Sequence, residues 1–313
     1  SKMGKRTKSA VALISNAIAE KRLDLAEEAN NLAEKVLTAT GVKVKASDRA
    51  GADKGSAATE YLIFIANREV EQLADIAIAA FDEGKDPSKL KKEVAAVFHG
   101  KQAIDIACFG RMLADAPDLN TDASAQVAHA FSIDQITPEY DYFTAVDDCA
   151  SDDNAGAAMI DTVGFNSSTL YRYATLNVDA LRDQLQDADA MVEGVSAFVE
   201  AFVKSMPSGK QNTFANHTLP EDIVIVLRDS QPISAADAFE NPIKRKDGIS
   251  VSRQGIERLG DRLNEIRINY GEEPVKAWHV VSGGSVPSLD EWSEQVTLPE
   301  LEQSLRETLS AAY

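Results

Sequence analysis

Asp147, Asp148, Asp152 and Asp153 crowd four carboxylates into one short run, the sharpest candidate for chemistry in the chain. Paired carboxylates can hold Mg²⁺ for phosphodiester hydrolysis. The run does not follow the calcium-loop pattern of alternating ligands, glycine and terminal Glu. It reads more simply as a solvated acidic loop tip, with a metal-dependent nuclease as the alternative. His99, His129, His217 and His279 are scattered without metal-ligand spacing. Gly209-Lys210 lacks the upstream glycine and the following Ser or Thr of a phosphate loop. Ser282-Gly283-Gly284-Ser285 reads as a turn. No nucleophile elbow is present, although a nucleophile–His–Asp triad built from distant residues leaves no local trace. Nothing here calls for a metal or an organic cofactor.

The elements that carry these residues change character along the chain. Ala10 to Leu37 spaces Leu13, Ile14, Ile18, Leu23, Leu25 and Leu32 as a helix does. Lys43 to Ala58 is a loop by composition. A long helical run is expected from Thr59 to Phe81, closed by Gly84, and Asp86-Pro87-Ser88 opens a third helix bearing Lys89, Lys91 and Lys92. After Gly110 the pattern turns to strands, at Val127–Phe131 and Thr169–Thr175, with a turn-rich candidate hairpin between them. Ala188–Met206 predicts a helix and Ile223–Leu227 a buried strand. Ser252–Tyr270 predicts another helix, Ala277–Val281 a short strand, and Thr297–Glu300 a capping box opening the last helix. The fold class is α+β, with no internal repeat.

The chain has 313 residues and a formal net charge of −18. That length can bury one large core or two modest ones. The acidity points away from nucleic acid, because phosphate binders usually carry a basic surface. An acidic scaffold without nucleic acid is therefore also compatible with composition. No apolar run approaches membrane-spanning length, so no membrane partner is expected. With only Cys108 and Cys149, no disulfide framework is expected and a reducing cytoplasm is the expected location.

Several stretches, in order, resemble the CasC backbone subunit of the type I-E CRISPR Cascade complex. They are Phe109-Gly110-Arg111-Met112, Val127–Ser132 and Asp141–Asp148, then Leu170–Ala174, Gly209–Ala215 and Gln231-Pro232-Ile233-Ser234 through Ala238-Phe239-Glu240. The resemblance implies an RRM-like (ferredoxin-like) palm with a helical fingers region and a β-hairpin thumb. Residues 1–125 would form the fingers, 126–136 and 169–313 the palm, and 137–168 the thumb. It implies no catalysis. Copies would stack head to tail along CRISPR guide RNA and support binding of target DNA in antiviral defence. The large, small, guide-capping and guide-processing Cascade subunits would be partners.

Residue by residue, the resemblance implies that Phe143 and Thr144 wedge between guide bases, a task suited to an aromatic face. Met112 would pack on the guide beside the flipped base, its soft side chain adapting to any base. Arg111 would contact phosphate, Lys210 and Gln211 the guide backbone, and Lys89, Lys91 and Lys92 the target DNA. Two departures matter. The family's opening strand and its Ser-Ser-Gln…Lys-Arg helix have no counterpart here, so the palm is expected to lack a first strand and helix and to show an unpaired sheet edge. Ile133-Asp134 also stands where the family often has Thr-His. From Met112 to Tyr171 there are eleven Asp and Glu and no Lys or Arg. The thumb would therefore act by stacking and by packing on a neighbour, not by counterion release, with positive charge supplied by Arg111, Lys210 and Lys244-Arg245-Lys246.

Overall fold

A computed structural model describes residues 3–46, 57–145 and 159–313 of the chain. The fold is α+β, with helices and small sheets mixed along the sequence. It divides into two compact units, Ser1–Gln126 with Thr175–Val199 and Arg306–Tyr313, and Val127–Ala174 with Glu200–Leu305. The acidic run Asp147–Asp153 and Cys149 lie outside the described residues.

In the first unit, helices Ala10–Lys21, Ala29–Thr38, Asn67–Asp82 and Lys91–His99 share one apolar core. Ile14 and Ile18, Leu32 and Val36, and Leu73 and Ala77 are each four residues apart, and all six are buried. Each fully buried aliphatic side chain of Val, Leu or Ile size contributes about 1.5–3 kcal/mol. Packing of these stripes, more than propensity, holds the helices.

Three sequence expectations change here. The expected helix Ala10–Leu37 breaks at Arg22, whose backbone turns to φ −142°, ψ 88°. The Arg22 guanidinium grips Asp24 at 2.7 Å and Asp82 at 3.1 Å, and a 3₁₀ turn Leu23–Leu25 follows. The helical run expected from Thr59 starts only at Asn67. Ile63–Ala66 is instead a strand, antiparallel to Gly4–Thr7 with Gly4 opposite Ala66. β-Branched and aromatic residues at Ile63-Phe64-Ile65 suit the pleat better than a helix. The Glu69 carboxylate then accepts the Ala66 N–H at 2.8 Å, fixing the helix start. The expected loop Lys43–Ala58 carries short paired strands, Val44–Ala46 and Ala57–Thr59, at its ends.

In the second unit, strands Glu139–Ala145 and Met159–Phe165 form an antiparallel hairpin, Glu139 opposite Phe165 and Ala145 opposite Met159. A three-stranded sheet runs Asp222–Leu227, Lys276–Val281, Glu294–Gln295, the last pair parallel. Asp222–Leu227 pairs along one side only among the described residues. Its side chains are half-buried rather than buried, as suits an edge position. Helix Val251–Tyr270 packs Ile256, Leu259 and Leu263 with Val224, Val281 and Leu289. The Ser250 hydroxyl accepts the Arg253 N–H at its start, and Gly271 at φ 68° ends it. A Cβ at Gly255 would come within 2.5 Å of Ile133 Cδ1, so glycine is what allows that approach. The Thr297–Glu300 capping box forms as expected, the Thr297 N–H and hydroxyl both donating to Glu300 at 2.8 Å.

Candidate nucleic-acid interface

Met112 is 78% exposed, yet the residues on both sides of it, Arg111 and Leu113, are buried. Gly110 makes this possible. It sits at φ 75°, and a Cβ there would meet the Thr121 carbonyl oxygen at 2.8 Å. Arg111 and Thr121 then exchange two backbone hydrogen bonds of 2.9 Å, and the Leu113 N–H donates to Asn120 Oδ1 at 2.7 Å. The methionine is therefore held out on a backbone fixed before and after it. Phe109, 58% exposed, rests on Phe198 with ring centroids 6.3 Å apart.

Arg111 does not sit where the resemblance puts it. Its side chain is fully buried, Nη1 to Glu69 Oε1 at 2.6 Å, and has no surface left to meet a phosphate. The guanidinium also donates to the carbonyls of Phe98 at 3.0 Å and Phe64 at 3.4 Å and to Gln102 Oε1 at 3.3 Å. It lies 4.9 Å from the centre of the Phe98 ring. The phosphate role was implied by the resemblance, whereas here an acid 42 positions away claims the guanidinium.

Lys89 lies in the 3₁₀ turn Pro87–Lys89, and Lys91 and Lys92 open helix Lys91–His99; all three are exposed. The apolar face of that helix, Val94, Val97 and Phe98, is buried, which turns the lysines outward.

The hairpin presents side chains differently. Every residue of Glu139–Ala145 is exposed, and so is nearly all of Met159–Phe165. Directly opposed residues share a face, and successive residues alternate. Tyr140, Tyr142 and Thr144 thus share a face with Gly164, Thr162 and Ile160, and that face carries no charge. Phe143, opposite Asp161, stands on the other face with Glu139 and Asp141. Phe143 and Thr144 therefore point to opposite sides and cannot enter one base gap from the same face. Sequence reasoning passed over Tyr140 and Tyr142, which are 75% and 70% exposed against 39% for Phe143. Their period-two spacing was the available signal. The Tyr140 ring covers Gly164, where a Cβ would lie 3.3 Å from Cε1.

At the hairpin's base, Phe165 meets Phe214 with centroids 5.9 Å apart. That ring belongs to the short helix Gln211–Phe214, which is flanked by Lys210 at φ 62° and Ala215 at φ 48°, two non-glycine residues in the left-handed region. Lys210 is exposed, while the Gln211 side-chain amide donates to the Pro207 carbonyl at 2.8 Å.

The groups that could serve an enzyme are buried and already engaged. His279 is fully buried, Nδ1 to Ser293 Oγ at 2.8 Å and Nε2 to Asp290 Oδ1 at 3.1 Å. This has the members of a triad, but the Ser293 hydroxyl is itself buried and donates to the Leu289 carbonyl at 2.7 Å. Burial holds the imidazole below its ordinary pKa, opposed by Asp290. Burial, with Asp105 beside it, pushes the Cys108 thiol up to about 11, far from a reactive thiolate. Among the described residues no group of three or more His, Cys, Asp or Glu could hold a metal ion, and no helix is long and apolar enough to cross a membrane.

A family model described as CT1975-like protein matches residues 1–304. A chain of a solved "CRISPR RNA-guided surveillance complex, pre-nicking" superposes with a TM-score of 0.82 at 27% identity, over 100% of this chain and 85% of that one. A chain of another "CRISPR RNA-guided surveillance complex" gives a TM-score of 0.59 at 31% identity, over 67% of this chain and 78% of its own. No curated protein matches the sequence.

Proposed function

The chain belongs to the CT1975-like protein family, and from that premise we propose that it is a non-catalytic, guide-RNA-binding backbone subunit of a type I-E Cascade complex. The observation that carries this reading is the likeness, along the whole chain, to a subunit of an RNA-guided surveillance complex. In this reading the three-stranded sheet and its helices serve as an RRM-like palm, the first helices as fingers, and the hairpin as a thumb.

Each proposed contact has a physical basis. Phe143 and Thr144 meet guide bases from opposite faces of the hairpin, and Tyr140 and Tyr142 widen the stacking surface. Stacking of a base on an aromatic ring is worth about 1–3 kcal/mol and tolerates any base. Met112 packs on the guide as an adaptable apolar cap. Lys210 and Gln211 lie along the guide backbone, although the Gln211 amide must leave Pro207 to do so. Lys89, Lys91 and Lys92 hold target DNA. Arg111 is left out of the contact set. Copies of the chain stack head to tail along the guide in the cytoplasm, beside the other Cascade subunits.

Binding by stacking and backbone contact depends on guide length and salt, and hardly on guide sequence. Competition between two guides of equal length and unrelated sequence tests this: equal affinities are expected, and a strong preference for one of them counts against the reading. The nuclease alternative is separated by incubating the complex with Mg²⁺ or Mn²⁺ and labelled RNA or DNA. No turnover is expected, and turnover abolished by Asp148→Ala would replace this proposal.

A further inference from the structure

Arg111 joins segments distant in sequence at a point hidden from solvent. One fork of its guanidinium is on Glu69, which also fixes the Ala66 N–H at the start of helix Asn67–Asp82. The other is on the Phe98 carbonyl, in the last turn of helix Lys91–His99, and on Gln102. Gln102 closes the arrangement by donating its amide to the Phe98 carbonyl at 2.6 Å and the Gly100 carbonyl at 2.8 Å. A cation on the final carbonyls of a helix is favoured by their partial negative charge. The same residue is the first anchor of the Gly110–Leu113 segment that exposes Met112.

We infer that Arg111 is a positioning residue that fastens the Met112 segment to the lysine-bearing helix Lys91–His99, setting the distance between the surface that meets the guide and the surface that meets target DNA. The functional meaning rests on the reading of Met112 and the lysines given above, while the mechanical claim does not. Arginine is suited to this and lysine is not. Only a planar fork reaches a carboxylate, a backbone carbonyl and a side-chain amide at once. The buried pair also need not be the cheapest way to fill the space, because replacing both partners of a buried ion pair by neutral groups is often tolerated. The pair would then be kept for the geometry it imposes.

The test uses the RNA-free full chain, with spin labels on Met112→Cys and Lys92→Cys in a Cys108→Ala, Cys149→Ser background. The distance distribution between the labels is compared with and without Arg111→Met, Glu69→Gln. The glutamine retains an oxygen for the Ala66 N–H. A narrow distribution is expected in the parent, and it roughly doubles in width once the fork is gone, in a protein that melts within about 5 °C of the parent. An unchanged distribution in the folded double variant overturns the inference. Should the double variant not fold, Arg111→Lys decides by the same criterion, since it keeps the charge on Glu69 and loses the reach to Phe98 and Gln102. Guide occupancy of Met112→Ala without labels is the separate readout. If occupancy is unchanged while the distances broaden as expected, the guide reading fails and the positioning role stands.

Discussion

Met112 and Phe143 are both offered to solvent, but by opposite means. Met112 stands between two buried anchors on a segment locked by a positive-φ glycine, a backbone bridge and a buried ion pair. Phe143 stands on a hairpin whose first strand is exposed on both faces and whose ring contact to the rest of its unit, among the described residues, is at the base, through Phe165 and Phe214. An isolated hairpin is marginal in water. The comparison teaches that one surface is held by its own buried anchors, whereas the other has few contacts of its own to hold it. Preorganisation lowers the ordering cost of binding, so under the proposed function the fixed surface would set register and the hairpin would order on RNA and the next copy.

The largest expected effect strikes the fixed side. Arg111→Ala leaves Glu69 buried without its partner, and breaking such a pair costs about 3–5 kcal/mol in denaturant unfolding of the RNA-free chain. Phe143→Ala in the same experiment should stay within about 0.5 kcal/mol, as surface substitutions do. Equal losses from the two would erase the distinction. Next comes the loss of stacking. Guide affinity of Phe143→Ala should fall roughly 5- to 150-fold, the equivalent of about 1–3 kcal/mol. A smaller effect follows from Phe214→Ala, which removes a ring pair worth about 0.5–1.5 kcal/mol beyond its area. Amide exchange should quicken in Glu139–Ala145 and Met159–Phe165 and stay constant at the Arg111–Thr121 bridge; quickening at both would mean the hairpin is not separately tethered. The smallest effect is electrostatic. Replacing Lys89, Lys91 and Lys92 by Ala should lower the salt slope of target-DNA binding by roughly 2–3 and leave guide occupancy alone.

Much of the architecture was legible because it depends on period and punctuation. Helices Ala188–Lys204 and Val251–Tyr270, strand Lys276–Val281 and the Thr297 cap all lie close to where their patterns put them. What sequence missed depends on partners far along the chain. Ile63–Ala66 became a strand because Gly4–Thr7 pairs with it, and the helix from Ala10 broke where Arg22 found Asp24 and Asp82. At the site the lesson is the same. An outward Met112 came only from the resemblance, and Tyr142 was overlooked although period-two alternation signalled it, while burial of Arg111 left no local trace, because Glu69 is invisible to any local window.

The central claim, that this chain holds RNA through its presented apolar side chains, is tested most directly by the RNA that co-purifies natively with each folded molecule. Parent, Phe143→Ala and Met112→Ala proteins are compared, with absorbance ratio and RNA sequencing as readouts and thermal melts of the RNA-free forms as control. The account predicts bound RNA of varied sequence in the parent, sharply reduced in both variants, with melting temperatures of the RNA-free forms nearly unchanged. RNA occupancy that stays at the parental level in both folded variants, or a parent that carries no RNA, would contradict it.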